Sequence, residues 1–337
     1  MLNWAIIGCG VISINHATAV VKANGTKLYA VCDLDKGKAE TLAREFGAEK
    51  VYTDYLELLR DPAVDVVSIC TPSGIHGEMA IAAAKNGKHI LCEKPVEITR
   101  EKIDAIASAV EEAGVKLGCV YQLRYSAGPQ AVKQYIETHD LGKLLFGRVY
   151  AQNYRSADYY KSATWRATWD LDGGGCLMNQ GVHALDLLRW MMGDVVRVTA
   201  NCKTLSHDIA VEDTALAIAE FTSGALASMV ATTAAAPAQS MVSLHFEKGT
   251  IDFYDKECHG AFLDETLPPL HLKVEEEILG AENKAISHDS HIPMVQDLAD
   301  AIREDRAPAI PLSEGRKSVE LILGIYESSK TGKPVTL

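Results

Sequence analysis

Through the first 121 residues, short and almost uninterrupted apolar runs alternate with helical patterns. NWAIIGCG, TKLYAVCDLD, VDVVSICTP, HILCEKP and VKLGCVYQ read as strands; residues 14–23, DYLELLRD, HGEMAIAAAKNG and REKIDAIASAVEEAG read as helices. A strand that is apolar at every position, not at every second one, has both faces covered, and parallel strands joined by helical crossovers achieve that. The alternation predicts a doubly wound parallel sheet with its ligand site outside the carboxyl ends of the strands.

The first of those ends carries Gly8-Cys9-Gly10-Val11-Ile12-Ser13, a form of GxGxxG with a small residue in third place. Gly8 permits the tight turn and Gly10 lets the backbone approach a pyrophosphate, while Val11 and Ile12 open the helix whose N-terminus would hold it. Asp33 closes the second strand, where a carboxylate accepts hydrogen bonds from ribose hydroxyls and repels a 2′-phosphate. Leu34 follows it instead of an arginine, with Lys36 and Lys38 close by, so NAD is expected ahead of NADP. CTPSGIH brings Thr71, Pro72 and His76 to the next cofactor-facing loop, with Ser73 as a helix cap and loop orientation as the other role for His76. LCEKPVEI adds Glu93 and Lys94 directly before Pro95, and a cis Lys94–Pro95 bond is one way to aim Lys94 into the cleft.

At 337 residues the chain exceeds one ordinary core, and the pattern changes at residue 122, so domains at 1–121 and 122–337 are expected. In the second, LLFGRVYAQNY, VVRVTANCKTL, DTALAIAEF, GALASMVATTA and SMVSLHFEKGTIDFY are joined by Thr-Ser-Gly and Lys-Gly turns. They predict an α+β domain with a large, mostly antiparallel open sheet of roughly six strands, helices on one face, and a C-terminal helix from Ser313. The net charge of −12, with no basic cluster to offset it, argues against a nucleic acid or an anionic membrane surface as partner. The eight cysteines are dispersed without a CxxC, a strand opens the chain, and no apolar run is long enough to span a bilayer. A cytoplasmic, reducing compartment is expected.

GGGCLMNQGVHALDLLRW, residues 173–190, reads as a helix behind a flexible glycine lead-in. At about 100° per residue, Asn179, His183, Asp186 and Trp190 share a stripe roughly 60° wide, opposite Leu185, Leu188 and Met192. Asp186 suits holding the His183 tautomer, or an ion pair with Arg189. Asparagine is a poor transition-metal ligand and no other His or Cys stands at ligand spacing, so no metal is expected. Gln122 and Arg124 at the domain junction, and Trp165 and Arg166 in an aromatic loop, are candidate substrate contacts, with core packing the other use of the loop pair.

GCGVIS, CDLD, CTPSGIH, CEKP and GGGCLMNQGVHALDLLRWMMG stand in the order and at the intervals of the glucose–fructose oxidoreductase / inositol dehydrogenase (Gfo/Idh/MocA) family, which the chain resembles over nearly its full length. The resemblance implies a Rossmann domain followed by the α+β domain, and an NAD(P)-dependent dehydrogenase acting on CH–OH groups of sugars, sugar nucleotides or cyclitols. It also implies a homo-oligomer, dimer or tetramer, formed through the open face of the second sheet. The family's EKP lysine maps to Lys94 and the histidine of its D-x-x-x-H pattern to His183, while Asn179 stands where many polyol-oxidising members carry Asp. The Asn form is similar to members acting on nucleotide-linked N-acetyl sugars, so a UDP-N-acetyl sugar (acid) 3-dehydrogenase is the finer expectation. In that scheme His183 is the base, Lys94 polarises the oxygen or itself takes the proton, and Asn179 positions the substrate. An NAD-dependent glycosidase using transient oxidation and a non-catalytic NAD/sugar sensor are the alternatives.

Overall fold

The computed structural model describes residues 1–254, 257–273 and 288–337, and the chain forms two compact units. The first comprises Met1–Gln122 together with the described residues 288–316. Its elements run β1 (Leu2–Ile7), α1 (Ser13–Lys22), β2 (Thr26–Cys32), α2 (Lys36–Phe46), β3 (Lys50–Tyr52), α3 (Tyr55–Arg60), β4 (Val66–Ile69), α4 (His76–Lys85), β5 (His89–Cys92), α5 (Arg100–Ala113) and β6 (Leu117–Cys119). Local chemistry sets the helix limits: Asp35 and Thr99 accept N–H groups at the starts of α2 and α5, and left-handed Gly47 and Gly114 close them. All strands pair in parallel in the order β3-β2-β1-β4-β5-β6, the doubly wound order whose reversal between β1 and β4 opens a crevice at their carboxyl ends.

The second unit contains α6 (Ala127–Thr138), β7 (Leu144–Gln152), α7 (Ala157–Lys161), α8 (Val182–Met192), β8 (Val195–Lys203), β9 (Thr214–Phe221), β10 (Leu226–Thr232), β11 (Gln239–Phe246), β12 (Gly249–Tyr254), β13 (Glu257–Phe262) and β14 (His271–Lys273). After α9 (Ile292–Arg303) in the first unit, the chain ends with α10 (Leu312–Thr331) and β15 (Val335–Thr336). The sheet has nine strands in the order β14-β13-β12-β11-β7-β10-β9-β8-β15, not about six. The three added strands, ECHGAF, HLK and VT, are short and carry no apolar alternation, which is the signal a sequence reading depends on. Pairing is antiparallel except between β7 and β10. Helix α8 lies against β7 at Gly147, where a Cβ would collide with Met192 Sδ. The other face leaves Phe146, Leu216, Ile218 and Leu226 between 45% and 62% exposed on neighbouring strands. Among the described residues no helix is long and apolar enough to cross a membrane.

The division at 121/122 therefore needs correcting, because residues 288–316 pack into the first unit. A buried charge explains why. Glu93, at the end of β5, is 6% exposed, and its Oε1 accepts from His16 Nε2 in α1 at 2.9 Å and from His291 Nε2 at 3.1 Å. Both imidazoles are fully buried. Their Nδ1 atoms meet the hydroxyls of Ser68 (3.0 Å) and Ser290 (2.9 Å), and Ser68 also accepts from Trp4 Nε1. Burial alone would raise the Glu93 pKa, but the two imidazole hydrogen bonds overcome it and hold the carboxyl well below the usual 4.5. Burial lowers His16 from the usual 6.5, against the pull of Glu93.

Both groups bind fewer protons folded than unfolded, so the His16 contribution is present above pH 6.5 and declines as pH falls below it, while that of Glu93 is present above pH 4.5 and declines only below that. Thermal unfolding should show a midpoint that falls between pH 7 and pH 5. His16→Gln keeps a donor toward Glu93 but cannot titrate, and should flatten that part of the profile; an unchanged slope would remove His16 from the account.

Candidate functional site

In the first unit, the glycine turn after β1 packs directly against the backbone that follows β4. Gly8 has φ +95°, and a Cβ there would stand 2.7 Å from the carbonyl oxygen of Cys70. No side chain caps α1; Ser13 N donates to the Gly10 carbonyl at 3.2 Å and Asn15 N to that of Ile12 at 3.0 Å, and the positive end of the helix dipole lies at the glycine turn, where a pyrophosphate is favoured. A Cβ on Gly10 would meet nothing within 4 Å, and Val11 and Leu34 are 87% and 93% exposed, an apolar surface beside the glycine turn. Asp33 is aimed by two backbone donors, Cys9 N on Oδ2 (2.7 Å) and Asp35 N on Oδ1 (2.8 Å). Each oxygen keeps a lone pair for a ribose hydroxyl. A cavity of about 390 Å³ beside them is lined by Cys9, Gly10, Ser13, Asp35, Lys38 and Thr41. Lys36 pairs with Glu40. The acceptor oxygens of Asp33 fit a dinucleotide with free ribose hydroxyls.

The neighbouring loops divide differently from expectation. His76 is 1% exposed, with Nε2 2.8 Å from the Thr71 carbonyl oxygen and Nδ1 2.8 Å from that of Pro95, so its ring latches one loop to the other. Both ring nitrogens are thereby taken by backbone carbonyls. Glu93 likewise turns its carboxylate inward to the two histidines, leaving Lys94 half-buried at the next position. The Lys94–Pro95 bond is cis. Spacing could not reveal the His16–Glu93–His291 cluster, whose members come from three distant segments. Their ligand atoms lie within 4.8 Å of one another, but at hydrogen-bond lengths that satisfy all three side chains as a network. Pro72 leads into the turn before α4. Gln122 is 5% exposed, and its Oε1 meets no partner among the described residues.

In the second unit the glycine lead-in is closely packed at Gly174 and Gly175. A Cβ on Gly175 would overlap the Glu212 carbonyl oxygen, and one on Gly174 the Tyr326 hydroxyl. Glu212, 4% exposed, accepts from Gly175 N and Leu177 N at 2.9 Å and from the Tyr326 hydroxyl at 2.8 Å. Burial still raises its carboxyl above the usual value against these bonds. Beyond this clamp, Cys176–Gly181 winds as a π-helical turn before α8 begins at Val182. One wheel of 100° per residue therefore does not run from Asn179 to His183, a correction to the single-stripe reading.

The polar residues of α8 also separate. Asp186 is held bidentately by Arg124, at 2.8 Å from Nε and 2.7 Å from Nη2, and accepts from Ser318 at 2.6 Å. It does not orient His183, and Arg189 meets Asp194 instead of Asp186. Arg124, expected at the substrate, is 4% exposed and its guanidinium carbon also stands 5.6 Å from the Trp190 ring centre. Trp165 and Arg166 do come together, with the Arg166 guanidinium 4.7 Å over the indole and 4.2 Å over Tyr159. Asn179 Nδ2 donates to Asp172 Oδ1 at 2.5 Å, and Asn179 Oδ1 accepts from Gln180 Nε2 at 2.8 Å. The other Asp172 oxygen accepts from Ala167 N, at a residue with φ +54°. Asp172 was missed by the sequence reading, though it directly precedes Gly173. It explains the amide at 179, since a carboxylate there would face another.

Residues 2–121 match the model of an oxidoreductase family with an NAD-binding Rossmann fold (GFO_IDH_MocA), and residues 130–252 match the GFO/IDH/MocA C-terminal domain. The chain belongs to the Gfo/Idh/MocA family. It is an NAD-dependent oxidoreductase. It is 27% identical to a scyllo-inositol 2-dehydrogenase (NAD(+)) of Bacillus subtilis, over 100% of this chain and 96% of the relative. It is 31% identical to a 1,5-anhydro-D-fructose reductase of Ensifer adhaerens, over 67% and 68% of the two chains. The crystal structure of the WlbA dehydrogenase from Bordetella pertussis in complex with NADH and UDP-GlcNAcA superposes with a TM-score of 0.85 at 29% identity, covering 100% of this chain and 98% of that one.

Two variants test the geometry. Asp33→Ser should lower kcat/KM for NAD about 10- to 100-fold, the worth of a charge-assisted hydrogen bond, and raise the NADP-to-NAD ratio; an unchanged ratio would separate Asp33 from the ribose. Asn179→Asp should add a carboxylate beside Asp172, push one of the pair's pKa values up, and reduce turnover at neutral pH at least tenfold. The double variant Asp172→Asn/Asn179→Asp restores one charge per pair and should recover much of the rate. A pH profile for Asn179→Asp identical to wild type would show that the pair does not govern the site.

Proposed function

We infer that the protein is a dehydrogenase of a sugar, sugar-nucleotide or cyclitol CH–OH group, with a nucleotide-linked N-acetyl sugar or its uronic acid as the finer reading. The observation that carries it is the pairing, in one chain of this family, of an aimed Asp33 and EKP lysine in the NAD unit with Asn179 and His183 behind a clamped glycine turn. The inositol and anhydrosugar enzymes among the relatives support the broad class, and the neighbour holding NADH with UDP-GlcNAcA supports the finer one.

When bound, the nicotinamide accepts or donates the hydride. The chain's own groups manage the proton and the oxygen. Imidazole titrates near neutrality, so His183 serves as the base for the hydroxyl proton without strong tuning. Lys94 stabilises the developing negative charge on that oxygen as a cation. Asn179 supplies a fixed amide, because Asp172 and Gln180 set which end is donor and which is acceptor. Gln122, with its unpartnered amide oxygen, is a further substrate or cofactor contact. The open face carrying Phe146, Leu216, Ile218 and Leu226 is the surface through which copies of the chain associate into a dimer or tetramer.

The test is NADH formation by the purified protein across free sugars, cyclitols and UDP-sugars. Turnover is expected on one class, and His183→Ala should reduce kcat about 10²- to 10⁴-fold on it. Release of free sugar without net NADH would replace this reading with transient-oxidation cleavage.

A further inference from the structure

Two guanidinium groups in the second unit surround one phenol without a carboxylate partner. Arg155 and Arg166 lie 5.2 and 4.2 Å from the centre of the Tyr159 ring. Among the described residues neither forms an ion pair. Arg155 is only 9% exposed, and a cation that far from water is costly unless a counter-charge or a full set of acceptors meets it. Its acceptors are all neutral: Nη1 donates to the Tyr154 carbonyl at 2.9 Å and Nη2 to Gln180 Oε1 at 2.6 Å. Its Nε is buried and meets no partner among the described residues.

Arg166 repeats the pattern, with Nε on Ser162 Oγ at 3.1 Å and Nη1 on the Tyr159 hydroxyl at 2.5 Å. Asp172 is the carboxylate whose charge reaches Tyr159, yet it is bonded to Ala167 N and Asn179 Nδ2 instead of to either arginine. Gln180 joins the cations to the functional turn, accepting from Arg155 while its Nε2 donates to Tyr159 and Asn179 at 2.8 Å. Two positive charges thus lie beside the residue that positions the substrate, one of them buried and under-satisfied.

We propose that Arg155 and Arg166 form a receptor for an oxyanion of the substrate, a carboxylate or a phosphate, and that this pair selects anionic sugars over neutral ones. The assignment rests on the dehydrogenase reading and names the substrate class within it. Planar guanidinium forks suit carboxylate and phosphate alike, so the experiment separates the two sources.

Calorimetric binding in the presence of NADH, with turnover measured in parallel, uses four probes: a UDP-linked uronic acid, the matching neutral UDP-sugar, the free uronic acid and a free neutral sugar. Arg166→Gln should weaken the anionic probes about 10- to 100-fold more than the neutral sugar, and Arg166→Lys should restore part of the loss. The loss should appear in KM more than in kcat, and wild-type binding of the anionic probes should weaken with added salt. A loss confined to the two acids identifies carboxylate; a loss confined to the two UDP compounds identifies phosphate. Arg155→Lys provides the second variant, keeping the buried charge while removing Nε. Equal effects on anionic and neutral probes in both arginine variants would overturn the receptor. Charge-selective binding without NADH turnover on any probe would instead keep the receptor and overturn the dehydrogenase reading.

Discussion

A carboxylate taken out of water at the end of β5 is the constraint on which the first unit depends. Glu93 is tolerable in that position only because two imidazoles and one backbone N–H meet it. One imidazole comes from the helix that starts at the glycine turn, the other from the turn before α9. A single ionised group thereby ties the cofactor-side helix, the EKP segment and the returning stretch 288–316 together. Lys94 follows Glu93 directly, so the lysine is placed by its neighbour's burial. Removing one partner would leave a desolvated charge, a more severe loss than an ordinary hydrogen bond.

The second unit uses the same device with a different residue. Glu212 reaches across from the strand side to hold the backbone of Gly175 and Leu177, and the packing leaves no room for side chains at Gly174 and Gly175. The π-helical turn begins at that clamp, and it presents Asn179 to Asp172 and Gln180. Arg124 and Ser318 occupy the Asp186 carboxylate.

Much of the architecture was legible in the primary structure. Continuous apolar runs declared the parallel sheet, the glycine turn and Asp33 declared its ligand, and spacing placed Lys94 and His183 at the ends of their elements. The strands missed at the edges of the second sheet, β13, β14 and β15, are six, three and two residues long, so periodicity had little to register. The partnerships missed were those between distant segments: His16 with Glu93 and His291, Glu212 with the glycines, Asp172 with Asn179. A motif reports which side chain stands at a position, but not which neighbour has already taken its hydrogen bonds.

The sequence alone determined the two folding patterns and the nicotinamide cofactor, because these follow from local periodicity and from backbone-dependent motifs a few residues long, and the order of its motifs carried the family resemblance. Tertiary structure alone decided that 288–316 returns to the first unit, that Asp186 belongs to Arg124, that the amide at 179 donates to Asp172, and that Arg155 and Arg166 carry unneutralised charge. These are matters of desolvation and of how few partners each buried group has. They are fixed by which segments meet in three dimensions, and no spacing along the chain encodes them.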